Sequence, residues 1–176
     1  MHTLIVGGRK TGKSTLIRRV LEELDLSVCG FETKKETDLW DDVYGNPIYI
    51  YDPGVPRRQT EENRIGYCKN QCPKPDKEVF ERFAEKFRDF PSGKDMILLD
   101  EIGFMETCSG RFCECILSAL DGDTPVIAAV KDKDTPFLNQ VRSHKNCRCF
   151  HISVENRDEL VGEVTEFVRQ QMKGRR

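Results

Sequence analysis

Short apolar runs and helical repeats alternate along this chain, with polar segments between them. Segments of apolar or β-branched residues predict buried strands at Thr3–Val6, Ser27–Lys35, Asp95–Glu101, Pro125–Val130 and Cys147–Ser153. Apolar residues at helical spacing predict helices at Gly12–Leu24, Val79–Phe90, Phe112–Leu120, Thr135–His144 and Leu160–Val168. Strands and helices that alternate in this way predict a mostly parallel sheet covered by helices.

Four features refine this pattern. The β-rich residues on either side of Gly45-Asn46-Pro47, within 38–52, predict a hairpin, the one antiparallel departure from the sheet. The polar segment 53–75 that follows is interpreted as a mobile loop. Pro91 and Gly93 close the helix that contains Phe90. Asn156 and Glu159 resemble a capping pair at the start of the last helix.

The chain has 176 residues, of which 38% are hydrophobic. This length suits one compact domain, so residues 1–176 are interpreted as a single α/β domain with three layers. The predicted hairpin is expected to be an antiparallel insertion in this otherwise parallel sheet.

Charge and hydropathy exclude several classes of partner. The net charge of −2 does not favour nucleic acid or an acidic membrane as the main partner. The longest apolar runs are five or six residues, far shorter than the roughly 20 residues that cross a bilayer. The few apolar residues before the first glycines do not form a signal peptide. We therefore expect a cytoplasmic protein.

The chain contains eight cysteines, and none of them form a CxxC pair. Cys113 and Cys115 fall on a predicted helix, where positions two apart point in nearly opposite directions. Cys68 and Cys72 share a predicted loop and could reach a metal. The sequence favours free, mostly buried thiols, with a zinc site at Cys68 and Cys72 as the alternative.

The segment between the first strand and the first helix contains the clearest functional motif of the chain. Gly7-x-x-x-x-Gly12-Lys13-Ser14 is a P-loop, and it follows a strand and opens a helix as that motif requires. Backbone N–H groups and the helix N-terminus would bind phosphates, Lys13 would reach the β- and γ-phosphates, and Ser14 would bind Mg²⁺. The predicted nucleotide-binding residues here are Gly7, Gly8, Arg9, Lys10, Thr11, Gly12, Lys13, Ser14 and Thr15.

A second motif, which is acidic, supplies the other residues that a hydrolytic site needs. Asp100 ends a buried strand, where open α/β sheets bind their ligands, and is expected to hold Mg²⁺ through a water. Glu101 follows directly and is placed to orient and deprotonate water, a contribution of about 10²–10⁴ in rate. This pair favours hydrolysis over binding alone.

Motifs over nearly the whole chain resemble one family. They are "LLDEIGFME" followed by Ser109 and Phe112, "VCGFET" at 28–33, "RIGY" at 64–67 and "VENRDEL" at 154–160. In this order they resemble the THEP1-type nucleoside-triphosphatases, also called cancer-related NTPases, of the P-loop NTPase superfamily. The Asp-Glu-Ile-Gly motif is much more specific than the P-loop.

The resemblance implies a RecA-like sheet, in which another strand lies between the P-loop strand and the Asp100 strand. It also implies slow, Mg²⁺-dependent hydrolysis of several nucleoside triphosphates to diphosphate and phosphate. By position, Ser14 and Asp100 serve the metal, Glu101 activates water, and Arg64 is a catalytic candidate that contacts phosphates.

Phe104 departs from the family pattern, which usually has a lysine at this position. A missing ammonium there would remove positive charge from the transition state and slow turnover or change substrate choice. The hypothesis drawn from the cations of the P-loop is that Arg9 or Lys10 partly replaces it.

Asn156 and Arg157 follow the last strand, where P-loop folds commonly contact a nucleobase, although helix capping explains Asn156 as well.

The sequence leaves three functions open. Hydrolysis of nucleoside triphosphates is the first interpretation. The alternatives are a nucleotide or small-molecule kinase, which would need an acceptor, and a nucleotide-dependent switch, which would engage a protein partner.

Overall fold

The computed structural model describes residues 1–91 and 93–174. The strands in these ranges are β1 (His2–Gly7), β2 (Val28–Lys35), β3 (Asn46–Tyr51), β4 (Arg64–Lys69), β5 (Cys72–Pro75), β6 (Met96–Ile102), β7 (Val126–Lys131) and β8 (Cys147–His151). The helices are α1 (Lys13–Glu23), α2 (Lys77–Lys86), α3 (Gly110–Asp121), α4 (Pro136–Arg142) and α5 (Arg157–Lys173). Short 3₁₀ turns lie at Glu61–Asn63 and Met105–Cys108. None of the helices in the described ranges is long and apolar enough to cross a bilayer.

All of these strands form one sheet in the order β5-β4-β3-β2-β6-β7-β1-β8. The five strands from β2 to β8 in this order run parallel, whereas β3, β4 and β5 pair antiparallel. β7 lies between β1 and β6, so the strand order expected of a RecA-like sheet is confirmed. Because parallel strands end at the same edge, the carboxyl ends of β1, β6 and β7 meet there.

Helices cover both faces of the sheet. Alternate residues of β1 point to opposite faces, as in any strand. Ile5 packs with apolar residues of α1 and α5, whereas Leu4 and Val6 pack with those of α2, α3 and α4. Burial on both faces explains why the parallel strands have uninterrupted apolar centres.

The hairpin predicted around Gly45-Asn46-Pro47 does not form between its two expected arms: its second arm, β3, pairs with β2 instead. Nor is this the one antiparallel departure, because β3–β4 and β4–β5 also pair antiparallel. β2 and β3 pair antiparallel, with Lys35 opposite Ile48. The first predicted arm, 38–44, is a mostly exposed connection in which the Asp41 carboxylate accepts two backbone N–H groups. Such local hydrogen bonds compete with strand pairing, so the arm forms a turn instead.

The prediction of a loop over 53–75 is wrong for its second half. β4 and β5 form another hairpin there, which extends the sheet beyond β3. Its turn is made by Asn70 and Gln71, whose φ angles are 50° and 64°. These strands lie at the polar edge of the sheet, so they lack the apolar alternation by which a strand is recognised.

The aromatic repeat near residue 80 continues past the end of its helix. α2 ends at Lys86 with Phe87 as its C-cap, so the predicted helix was too long. Phe90 nevertheless stacks on Phe87, with ring centroids 5.6 Å apart. The repeat therefore indicated packing against the core and not the length of the helix.

All eight cysteines are free thiols, but the expectation that most are buried is wrong. Cys29 is buried and Cys72 is exposed, while the other six are half-buried. Cys113 and Cys115 lie on α3 as predicted. Among the described residues, no group of three or more His, Cys, Asp and Glu side chains is placed to hold a metal ion.

Gly30 lies at a close approach between β2 and β6. Its φ is 113°, and a Cβ at this position would lie 2.1 Å from the Leu98 carbonyl oxygen. We expect Gly30→Ala to lower the free energy of unfolding by about 3 kcal/mol or more, because dihedral strain and backbone overlap both act. Urea unfolding followed by circular dichroism measures this change.

Gly162 provides the matched control for this substitution. It lies on α5, and nothing would be within 4 Å of an added Cβ. Gly162→Ala should raise the free energy of unfolding by up to about 1 kcal/mol, since alanine favours the helix. Equal stability of Gly30→Ala and the wild type would contradict the strain argument.

Candidate active site

The P-loop connects the end of β1 to the start of α1, as the sequence predicted. Gly12 is the N-cap of α1 and has a φ of 104°, a left-handed conformation that glycine adopts without strain. The N–H groups in the first turn of a helix have no partner within the helix. Together with the helix dipole, they make this loop an anion site.

The Lys13 side chain is buried inside the loop. Its ammonium donates to the carbonyl oxygens of Gly7 and Gly8 at 3.0 and 2.6 Å. It also pairs with Glu101 Oε2 at 2.9 Å. These contacts hold the cation at the P-loop in the free protein.

Ser14 and Asp100 are in direct contact across the sheet edge. The Ser14 hydroxyl donates to Asp100 Oδ1 at 2.9 Å. Burial raises the pKa of Asp100 to about 6, and the charges of Glu101 and Glu32 act in the same direction. Lys13 and the Ser14 hydrogen bond act in the opposite direction. A hydroxyl and a buried carboxylate are hard oxygen donors, the type that Mg²⁺ prefers.

Two lysines hold the Glu101 carboxylate. Oε2 pairs with Lys13, and Oε1 pairs with Lys131 Nζ at 3.1 Å. The backbone N–H of Glu101 donates to Thr33 Oγ1 at 3.1 Å, which ties this residue to β2. The peptide bond between Asp100 and Glu101 is cis. The Glu101 side chain remains 25% exposed, so water can reach it.

The segment after β6 forms one wall of the site. Gly103 N–H donates to Glu106 Oε2 at 2.9 Å. Burial raises the pKa of Glu106 to about 7. The Phe104 ring lies under two ammonium groups, those of Lys131 and Lys133, at 5.4 and 4.8 Å from its centroid. The position where the family usually has a lysine is therefore flanked by two lysines from the end of β7.

A cavity of about 410 Å³ begins at the P-loop and at Asp100 and Glu101. It continues over β2 towards β3, β4 and β5. The far wall is lined by Thr33, Lys35, Ile48, Ile65, Cys68, Gln71 and Pro73. The part of the sheet that sequence reasoning took for a loop therefore supplies much of this wall.

The remaining P-loop candidates differ in their surroundings. Arg9 lines the cavity and is exposed. Lys10 and Thr15 are exposed to solvent. Thr11 Oγ1 donates to the Gly8 carbonyl oxygen at 3.0 Å and so closes the loop. The hypothesis that Arg9 or Lys10 replaces the family lysine stays a prediction.

Arg64 lies outside this cavity. It lines a second, more open pocket with Tyr67 and Lys74, and its guanidinium lies 5.1 Å from the centroid of the Tyr67 ring. Its neighbour Ile65 lines the main cavity. Since successive residues of a strand point to opposite faces, Ile65 faces the P-loop cavity and Arg64 faces away from it. The structure therefore does not bring Arg64 to the other predicted catalytic residues.

Asn156 and Arg157 lie beyond β8, on the other side of the P-loop. The Asn156 side chain accepts from Ser153 N–H at 2.8 Å and donates to the His151 carbonyl oxygen at 2.9 Å. It makes no side-chain cap on α5, so the predicted capping pair with Glu159 does not form. Arg157 is exposed beside Gly12, with its Cδ 3.6 Å from the Cβ position of that glycine.

Sequence reasoning missed three residues that the site brings together: Thr33, Glu106 and Lys131. Lys131 directly follows the apolar centre of a predicted strand, so the rule that found Asp100 applied to it as well. Thr33 and Glu106 lie within motifs that were quoted, but no pattern assigned them a contact.

Comparison with known proteins extends these observations. A family model described as NTPase matches residues 2–165. The nucleoside-triphosphatase THEP1 of Thermotoga maritima is 30% identical over 175 residues, which cover 96% of each chain. THEP1 of Natranaerobius thermophilus is 26% identical over 97% of this chain and 98% of its own.

Two solved structures have the same fold. The crystal structure of THEP1 from Aquifex aeolicus aligns with a TM-score of 0.67 and 21% identity, covering 93% of this chain and 96% of that one. The solution structure of a human cancer-related nucleoside triphosphatase aligns with a TM-score of 0.66 and 22% identity, covering 96% and 97%. The fold is therefore that of the P-loop NTPases. Because the family model spans most of the chain and a relative of equal extent is 30% identical, this chain belongs to the NTPase family that contains the THEP1 nucleoside-triphosphatases.

Proposed function

We propose that this protein hydrolyses nucleoside triphosphates to diphosphate and inorganic phosphate. One observation carries the proposal: the phosphate-binding and acidic motifs, far apart in sequence, are in contact. Ser14 Oγ lies 2.9 Å from Asp100 Oδ1, and Lys13 Nζ lies 2.9 Å from Glu101 Oε2. Hydrolysis needs these four groups around one γ-phosphate.

The P-loop binds the triphosphate. N–H groups at the start of α1 donate to phosphate oxygens, and Lys13 neutralises the β- and γ-phosphates. Lys13 must leave its present partners, the Gly7 and Gly8 carbonyl oxygens and Glu101, to do so. Binding of a triphosphate therefore frees one oxygen of the Glu101 carboxylate.

Ser14 and Asp100 are the residues that would hold Mg²⁺, Asp100 through a water. Their oxygens fit this ion, and Asp100 is a buried carboxylate that a cation would stabilise. When bound, Mg²⁺ neutralises the charge that develops on the β- and γ-phosphate oxygens.

Glu101 acts on the attacking water. Its carboxylate accepts a proton while the water oxygen bonds to the γ-phosphorus. The bond from the γ-phosphorus to the β–γ bridging oxygen breaks, and the diphosphate leaves with that electron pair. The two lysine contacts and the Thr33 hydrogen bond fix Glu101 in the free protein.

Nucleobase recognition is assigned to the surface beside Arg157. This side chain is exposed and lies next to Gly12, whereas the Asn156 amide is occupied by backbone groups of its own loop. One exposed arginine gives weak discrimination between bases, and this supports the use of several nucleoside triphosphates.

The experiment is a phosphate-release assay with ATP, GTP, CTP and UTP, each with Mg²⁺ and then with EDTA. We expect phosphate release without any acceptor, from more than one of the nucleotides, and its loss in EDTA. No release from any of the four would overturn the proposal, and full activity in EDTA would remove Mg²⁺ from it.

A small-molecule kinase is the second candidate, because the cavity continues beyond the γ-phosphate position. Its far wall, from Lys35 to Ile48 and Ile65, has room for an acceptor next to Glu101. The same assay separates the two functions when acceptors such as nucleoside monophosphates are added. Diphosphate formation that depends on an acceptor would favour the kinase.

A further inference from the structure

We propose that Lys131 is a positioning residue: it holds Glu101 towards the attacking water after Lys13 has moved to the phosphates. This inference rests on the proposed hydrolysis and adds a residue that sequence reasoning did not find. It also gives a role to the cation at the end of β7, the strand between the P-loop strand and the Asp100 strand.

Lys131 takes the oxygen of Glu101 that Lys13 does not use. Lys131 Nζ lies 3.1 Å from Oε1, and Lys13 Nζ lies 2.9 Å from Oε2. The carboxylate is thus bridged by two ammonium groups from different elements. When Lys13 moves to the phosphates, Oε2 becomes available to water, while Oε1 remains paired.

The Lys131 side chain is held in place on several sides. Its ammonium lies over the Phe104 ring, and its Cδ lies 3.1 Å from the position that a Cβ on Gly103 would occupy. Arg142 Nη1 donates to the Lys131 carbonyl oxygen at 3.0 Å, which fixes the backbone at the end of β7. The Lys131 side chain is only 31% exposed. Because these contacts already restrict its rotamers in the free protein, it loses little conformational freedom when the site is occupied.

Lys13 and Lys131 therefore have separable roles. Lys13 belongs to the phosphate loop and leaves Glu101 when a triphosphate binds. Lys131 belongs to β7, and its contacts with Phe104 and Glu101 do not involve the phosphate loop. Loss of Lys131 should misalign the base without weakening the binding of nucleotide.

Lys133 supplies a matched control. Its ammonium lies 4.8 Å from the centroid of the same Phe104 ring. Within the described part of the chain it forms no ion pair with Glu101, whose partners are Lys13 and Lys131. A general loss of positive charge at this wall would affect both variants, whereas loss of the Glu101 contact affects only one.

The experiment compares Lys131→Met, Lys131→Arg and Lys133→Met with the wild type. Steady-state phosphate release from ATP and GTP gives kcat and KM, and fluorescence of N-methylanthraniloyl ATP with Mg²⁺ gives Kd. We expect Lys131→Met to lower kcat by about 10–100-fold, the cost of a misplaced catalytic group. Its KM and Kd should stay at the wild-type values. Lys131→Arg should restore most of kcat. Lys133→Met, which removes the same charge from this wall but no contact with Glu101, should lower kcat by less than Lys131→Met.

Three results would overturn the inference. The first is a wild-type kcat in Lys131→Met. The second is a raised Kd with kcat unchanged, which would make Lys131 a ligand of the nucleotide. The third is an equal loss in Lys133→Met, which would indicate a general charge effect. Failure of the wild type to release phosphate from any triphosphate overturns the hydrolase assignment itself, so the two failures are distinguishable.

Discussion

Replacing Glu101 with glutamine is expected to lower the turnover number by about 10²–10⁴-fold while nucleotide stays bound, because the substitution removes the carboxylate that accepts the proton but no group of the phosphate-binding loop. Glutamine has the size of glutamate, so the space beside Thr33 and Lys131 stays filled. Single-turnover phosphate release and the Kd of N-methylanthraniloyl ATP measure the two effects separately.

Glu114 is the control for this prediction. It is an exposed carboxylate on α3, outside the cavity, so Glu114→Gln should keep the wild-type rate. Phosphate release by Glu101→Gln at the wild-type rate would remove Glu101 as the base. A large loss of affinity in Glu101→Gln would instead assign it to binding.

Lys13→Ala is expected to abolish measurable triphosphate affinity. The lysine is buried. In the complex it would pair with phosphate oxygens, and removing one partner of a buried, hydrogen-bonded charge pair costs about 2–5 kcal/mol of binding free energy. The alanine variant loses the cation that faces the phosphates and leaves the Gly7 and Gly8 carbonyl oxygens without their donor. Calorimetric titration with a non-hydrolysable ATP analogue and Mg²⁺ measures the loss.

Arg18 lies on the same helix and is exposed, which makes Arg18→Ala the matched control. It changes the net charge by the same amount without touching the loop, so its Kd should equal that of the wild type. If Lys13→Ala bound the analogue as tightly as Arg18→Ala, the P-loop would not be the phosphate site.

The site could be predicted from sequence where it depends on local patterns. The P-loop is set by residues close in sequence, and Asp100 by its place at the end of an apolar run. Their contact followed from one rule, that parallel strands end at the same edge of the sheet. The strand between β1 and β6, expected from the family resemblance, is β7.

Contacts that depend on distant pairing could not be predicted in the same way. Lys131 meets Glu101 only because β7 and β6 are neighbours with a particular register. Arg64 carries a family motif, but strand alternation turns it away from the cavity, a property that appears only once β4 is known to be a strand. Asn156 resembled a cap in sequence, yet its amide is used within its own loop.

The sheet combines parallel and antiparallel strands, and this has a consequence for how substrate selectivity evolves in such a protein. The candidate active site is built on interior parallel strands, where a substitution disturbs packing on both faces. The opposite wall of the cavity is built on β3, β4 and β5, which run to the polar border of the sheet. The residues of β5 are mostly exposed and can be exchanged with little effect on the core, unlike Ile50 of β3 and Ile65 of β4, which are buried. Selectivity for a substrate or acceptor can therefore diverge there while the hydrolytic chemistry stays the same.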